Sequence, residues 1–382
     1  MTTKTKLTSG AILVIYALIM LEGILMATPF ALYLYSFYFP FLEGVQQSIL
    51  TAWISSYFFR HVVVETNSTF LEIIGWMRVL FPIGIIGFFV FAFQVYWAKF
   101  RRKGMINSFV YRYIRHPQYL FFMLAGLGVL FTWPRMMMLI LFTIMSIFYF
   151  YLARFEEKKM VAKHPEYQKY MNKTAMFIPG NPGGKLFKLS FGWIPNQIVA
   201  QLLAIVLIIT MIFGSAIGLR NHTIANISIT KIPDKHTLAI SIYPHTEQYL
   251  RDAIHKTMAH ESVENALFEQ GNVSFISHIM PSNYGMLAHF TEVDRQKFTR
   301  QIFNSELSFR DRIWGTDSDK VKVSFAKIDK PGKEYVPLNE IMDMSVRMIP
   351  VLVADLDLTT GEVFNVILNS KNQYGITPQP IF

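Results

Sequence analysis

Arg115-His116-Pro117-Gln118-Tyr119 opens one apolar run, and Arg154-Phe155-Glu156-Glu157 closes the next. If the two runs form a helical hairpin, both groups lie at the same end of it. Pro117 fits the first turn of a helix without wasting a backbone donor, which leaves His116 and Arg115 just outside the apolar run. There, free N–H groups and the helix dipole favour an anion such as a carboxylate. Tyr119, within the first turn, offers a ring and a hydroxyl, while Glu156 and Glu157 can accept hydrogen bonds from hydroxyl or amino groups. Singly, each has a plainer explanation. His-Pro is a good helix start, and Glu beside Lys158 and Lys159 is an ordinary solvated helix end, as is His164-Pro165 before Glu166. The signal lies in the order, which continues through Glu166-Tyr167-Gln168-Lys169-Tyr170 to Phe177-Ile178-Pro179.

The elements that must position these residues are apolar. Of 382 residues, 52% are hydrophobic and only 16% charged, against roughly 25% charged in soluble domains. The long apolar runs end near residue 218 and shorter ones, broken by charge, follow, which implies two domains in two solvents. The net charge of +10 gathers beside the apolar runs at Arg101, Arg102, Lys103, Arg112 and Arg115. That is the pattern of cytoplasmic membrane loops, not of nucleic-acid binding. The absence of Cys excludes disulfides, thiolate metal sites and a cysteine nucleophile.

Ala11 to Tyr35 is long enough to cross a bilayer, although Glu22 and Pro29 interrupt it, and reads as an uncleaved anchor. Gly44 to Ser68 alternates polar and apolar residues and suits an amphipathic segment in the interface. A second span from Trp76 to Trp97 ends at Lys99, Arg101, Arg102 and Lys103, which anchors that end, and the N-terminus, in the cytoplasm. Pro117–Trp133 and Pro134–Leu152 predict the hairpin, with Trp133 at the far interface. The basic stretch from Arg154 to Asn196, with a turn at Pro179 to Gly184, belongs in the cytoplasm. Ile198 to Leu219 forms a last span and carries everything after it to the other side.

After that span, the pattern predicts a strand near Thr237–Tyr243, a helix near Glu247–Gln270, a strand near Val273–Met280 and a helical region through Leu307. Strands at Val321–Ile328 and Met348–Leu358 follow, with a turn at Thr359 to Glu362 into Val363–Leu368. The predicted fold is an α-helical polytopic membrane domain of about five transmembrane helices, followed by a C-terminal extracytoplasmic α+β domain. Its divisions are an anchor and interfacial segment (1–75), a membrane core (76–196), the last span (197–219) and the extracytoplasmic domain (220–382).

The order and spacing of the motif, from Arg115-His116-Pro117-x-Tyr119 through Glu156-Glu157 to Ile178-Pro179, resembles the isoprenylcysteine carboxyl methyltransferase and phospholipid methyltransferase superfamily, over roughly residues 76 to 180. The resemblance implies a membrane-embedded methyltransferase that uses S-adenosyl-L-methionine from the cytoplasm and a lipophilic acceptor (isoprenoid, lipid or lipid-linked) that enters from the bilayer. It implies cofactor binding by Arg115, His116, Pro117, Tyr119, Glu156 and Glu157. Glu157 and Tyr167 take substrate-positioning, catalytic roles. An ionised carboxylate acceptor needs no general base, whereas an amine acceptor must lose a proton. Two positions depart from the family pattern: Phe121 stands where members commonly have Gly, and Met176 where many have a basic residue, with Lys173 the nearest substitute. These departures, and the added C-terminal domain, leave open a second reading. In it the chain is a scaffold or accessory subunit that keeps the methyltransferase fold and binds membrane protein partners through its helices and C-terminal domain. A sterol-reductase-like enzyme is a weaker third, since no Gly-rich dinucleotide loop is present.

Other features say less. Seven His residues, at 222, 236, 245, 255, 260, 278 and 289, lie in the C-terminal domain. His255 and His260 are five apart, off the spacing that shares a helical face, so no metal is expected. Asp355 and Asp357 alternate along a strand, as solvent-facing carboxylates do. Asn67, Asn221, Asn226 and Asn272 each begin an Asn-x-Ser/Thr triplet, which permits glycosylation in a secretory membrane.

Overall fold

The computed structural model describes residues 39–101, 109–284, 318–369, 381 and 382, with single positions between 17 and 24 and between 306 and 316. The expected anchor from Ala11 to Tyr35 and the helical region before Leu307 lie largely outside the described residues. The chain divides into two compact units, one formed by 1–34, 75–134 and 138–218, the other by 35–74, 135–137 and 219–382.

Short helices α1 (Phe39–Gln47) and α2 (Thr69–Gly75) precede α3 (Leu80–Phe100), entered through a 3-10 turn at Trp76–Val79. Then come α4 (Pro117–Thr132), α5 (Met136–Lys163), α6 (Tyr167–Lys173), α7 (Pro182–Phe191) and α8 (Gln197–Asn226). Three helical stretches, Thr69–Ala98, Met136–Lys163 and Gln197–Asn226, are long and apolar enough to cross a membrane, so the chain is an integral membrane protein. At 16 residues α4 is shorter. The second hairpin helix runs to Lys163, past the expected end at Leu152, because Ala, Arg, Glu, Lys and Met are all good helix formers. Glu156 and Glu157 therefore sit on a continuous helix and not in its exit. The stretch read as a turn at Pro179–Gly184 also holds a helix start. Gly180 takes the positive-φ bend at +77°, Asn181 caps α7 through its side chain to the Gly184 amide, and Pro182 occupies the first turn.

In this first unit, small residues let α3 and α4 approach closely. A Cβ on Gly84 would strike the backbone of Ala125, and one on Gly128 the backbone of Phe81. With water absent between helices, such small-residue seams gain the packing that holds membrane helices together. Phe88 and Phe122 meet beside the seam at 4.8 Å between ring centroids.

The second unit is built on a six-stranded sheet. Its strands are β1 (Ile229–Ile232), β2 (Thr237–Ser241), β3 (Phe275–Pro281), β4 (Lys320–Asp329), β5 (Arg347–Asp357) and β6 (Val363–Leu368), in sheet order one to six. Among these described strands β2 and β3 pair in parallel and the other neighbours antiparallel; β2 and β3 are joined by α9 (Glu247–Met258) and α10 (Glu261–Phe268). The expected single helix over Glu247–Gln270 is two, because His260 leaves helical geometry (φ −79°, ψ 125°) to begin α10. β1 was not anticipated, its four residues being too few for an alternation to register. Successive residues of β2 serve two cores. Leu238 and Ile240 join Ile276, Met280 and Val353, while Ala239 joins Leu250, Ile254, Val263 and Leu267 from α9 and α10.

The stretch expected in the interface contributes to the first of these cores through Val62 and Val63. The Val64 amide donates to the Ile242 carbonyl at 2.9 Å, and buried Arg60 pairs with Glu72 at 2.6 Å. Arg135, from the tip between α4 and α5, is buried with its guanidinium 4.7 Å from the centre of the Tyr57 ring. Arg220 donates to the Tyr57 and Met342 carbonyls and lies over Phe382.

Candidate functional site

Three segments of the first unit form the site. The chain before α4 pairs as a strand with the chain after α6. Ala175 N donates to Tyr113 O at 3.0 Å, Arg115 N to Ala175 O at 2.9 Å, and His116 N to Met176 O at 3.1 Å. These three bonds fix Arg115 and His116 at the mouth of α4, where Pro117 takes the first helical position. The facing wall is one side of α5, with Tyr149 and Glu156 seven residues apart and so two turns along the same face.

Arg115 is held on all sides. Its Nε donates to Glu157 Oε1 at 2.6 Å, and its Nη1 reaches Met171 O at 3.1 Å and the carbonyl of Thr174. Glu157, only 4% exposed, also meets His116 Nε2 at 3.2 Å through the same oxygen. Among the described residues its Oε2 accepts no hydrogen bond. His116 is equally buried, and its Nδ1 has no hydrogen-bond partner; Glu156 Oε2 stands 3.7 Å away. Tyr119 donates to Glu156 Oε1 at 2.8 Å. Its ring stacks between His116, at 5.6 Å and 14°, and Tyr149, at 5.6 Å and 18°. Tyr167 is buried beside Tyr170, with ring centroids 5.4 Å apart. Burial, and then the nearby Glu157 carboxylate, raise its phenol above the usual range, so it remains a donor.

The structure thus brings Arg115, His116, Pro117, Tyr119, Glu156, Glu157 and Tyr167 into one cluster. One guanidinium against two carboxylates leaves it with a net negative charge when His116 is neutral. Lys173 is exposed, and Met176 contributes its carbonyl to the pairing with His116 N. Phe121 points elsewhere. A Cβ on Gly87 of α3 would strike its ring, and that ring lies 5.1 Å from Phe91. Two residues apart on a helix are about 200° apart around it, so Phe121 and Tyr119 cannot share a wall. Gly87 leaves the space that the Phe121 ring fills.

Sequence reading did not single out Met171, which acts through a carbonyl that any residue carries, or Thr174, which adds its hydroxyl at 3.3 Å from Arg115 Nη1 to its carbonyl. Tyr149 could have been found from its spacing to Glu156. Among the described residues, no group of three potential ligands could hold a metal ion.

Neither a curated protein nor a solved structure matches the chain. One family model does, and it bears out the resemblance read from the motif. Over residues 70–168, which hold Arg115, His116, Tyr119, Glu156, Glu157 and Tyr167, the chain matches the phospholipid methyltransferase family.

Proposed function

We propose that the chain is an S-adenosyl-L-methionine-dependent methyltransferase acting on a lipophilic acceptor within or beside the membrane. The observation that carries this reading is the cluster itself, a largely buried network that ties the start of α4 to α5 within the stretch that matches the methyltransferase family.

The residues suit the cofactor. Its sulfonium and ammonium outweigh its single carboxylate, and the cluster offers two carboxylates, Glu156 and Glu157, against one guanidinium. Glu157 Oε2 and the half-exposed Glu156 (43% by side chain) can accept hydrogen bonds from ribose hydroxyls or the ammonium. The buried Nδ1 of His116 lacks a partner, and a buried polar atom of this kind is costly unless a ligand meets it. The amides at the start of α4 suit the carboxylate. When bound, the cofactor supplies a methyl group already activated for displacement, so the protein's task is alignment and the exclusion of water. Arg115 locks Glu157 in one orientation, Tyr119 holds Glu156, and the Tyr167 phenol offers a hydrogen bond to the acceptor. If the acceptor is an amine, Glu157 is the carboxylate placed to take its proton.

Phe121 packs against Gly87 and Phe91, away from Tyr119, which weakens the rival reading of a scaffold with a filled pocket. Counting the expected anchor and α4, the chain crosses five times, with its N-terminus and the motif loops in the cytoplasm and the sheet unit outside. In its support, residues 35–74, 135–137 and 219–382, the three connections that alternating spans leave on one side, fold as one unit.

The test is transfer of labelled methyl from the cofactor into lipid extract by purified protein. Label in the organic phase, lost in Glu157→Gln, is the expected result. Folded protein that labels no lipid or lipid-linked acceptor would overturn the proposal.

A further inference from the structure

α7 has three faces and only one is explained by the protein. Phe187 and Phe191 are partly buried and touch at 5.6 Å. Leu186, Leu189 and Trp193, at spacings of three and seven, lie on a nearly opposite stripe and are 63%, 81% and 77% exposed. Lys185 and Lys188 are exposed and lie along one edge of that stripe. A ten-residue helix does not present this much apolar surface to water without a reason. Ile178, just before the helix, is also 54% exposed. Four residues beyond Trp193 begins α8, whose own apolar surface is exposed for membrane contact, as at Ile198 (71%) and Leu202 (57%). The Trp193 indole N–H is already satisfied by Ser190 O at 2.9 Å, so its ring is free to lie among lipid carbonyls and chains, where Trp is favoured.

We infer that α7 is an interfacial helix lying flat on a lipid surface rich in anionic headgroups. Leu186, Leu189 and Trp193 enter the acyl boundary, and Lys185 and Lys188 sit among phosphates. The occupant of this face is a membrane, because the stripe runs directly into a membrane span and its flanking charges complement an anionic surface. Chain continuity links the helix to the site, since Phe177, five residues before α7, packs 6.2 Å from His116. On the methyltransferase reading proposed above, the acceptor's reactive group is then presented at headgroup depth and not from the middle of the bilayer.

The chain has no Cys, so a single spin label can be placed through Lys185→Cys, Leu186→Cys, Lys188→Cys or Leu189→Cys in the full chain in nanodiscs. The discs contain phosphatidylcholine with or without phosphatidylglycerol. Labels at 186 and 189 should collide with oxygen, and those at 185 and 188 with a water-soluble nickel chelate. Replacing both lysines by Gln should weaken attachment to the anionic surface by about fivefold each, read as a growing water-exposed population at 189, with no such change in phosphatidylcholine alone. A label at 189 as nickel-accessible as one at 185 overturns the inference. So does a label reached by neither reagent, which would mean a protein covers this face. Label depth is read without methyl transfer, so this result and the enzymatic one can fail separately.

Discussion

Arg115 Nε donates to Glu157 Oε1 at 2.6 Å across 42 residues of chain, with the two side chains only 8% and 5% exposed. The pair joins the start of α4 to the C-terminal part of α5 and, through Met171 and Thr174, to the end of α6. Arg115→Ala strands a buried carboxylate and two carbonyls, and should cost about 3–5 kcal/mol of stability. Replacing both partners with Met should cost less than Arg115→Ala alone, because no charge is left unpaired, while cofactor binding is lost in both. Denaturant unfolding in detergent, alongside ligand binding, checks both parts.

Phe121 and Gly87 should behave as one unit. Gly87→Ala places a Cβ against the Phe121 ring, and overpacking of this kind costs about 1–3 kcal/mol. In a double-mutant cycle, Phe121→Ala should relieve most of that cost. Phe121→Leu by itself should leave cofactor affinity unchanged, since the ring is on the far face of α4 from Tyr119.

Burial and the Glu157 carboxylate both raise the pKa of Tyr167, so in the proposed reaction it serves as a neutral phenol. Tyr167→Phe should therefore lower kcat by about tenfold, the worth of one hydrogen bond made to the reacting group. The shape of the pH–rate profile should stay the same. Loss of an alkaline limb in the mutant would mean that the phenolate takes part.

Acid should destabilise the sheet unit through His278. Complete burial lowers its pKa to about 4 from an ordinary 6.5, despite the hydrogen bond to Ile381 O. A depressed histidine binds its proton more readily when unfolded, so its contribution is intact above pH 6.5 and falls away as pH drops towards 4. The full loss approaches about 3 kcal/mol. Unfolding of wild type and His278→Gln at several pH values should give a shallower acid dependence in the mutant.

Much of this was legible in the sequence because membrane spans leave long apolar runs and the strands short apolar ones between turn residues. The motif residues were found for another reason. Their types are rare beside apolar runs, and their order matched one family. What stayed hidden depends on the backbone or on distant segments. Arg115 is held by carbonyls of Met171 and Thr174, which no side-chain pattern announces. Val62 and Val63 read as interface residues because their partners in β2 and β3 lie more than 150 residues further on. α7 was missed because Pro182, Gly183 and Gly184 carry the composition of a turn, although Pro in a helix's first turn is favourable. Phe121 stood out only as a departure from the family pattern, because the glycine that accommodates it, Gly87, is on another helix.

The most direct test of the central claim is calorimetric titration of S-adenosyl-L-methionine into the detergent-purified full chain, with a His116→Ala, Glu157→Ala double mutant as the control. The account predicts saturable binding on the micromolar scale by the wild type, abolished in the mutant while its helical content is retained. Folded wild-type protein that gives no binding heat up to millimolar ligand at several temperatures, or a double mutant that binds as tightly as wild type, would contradict it.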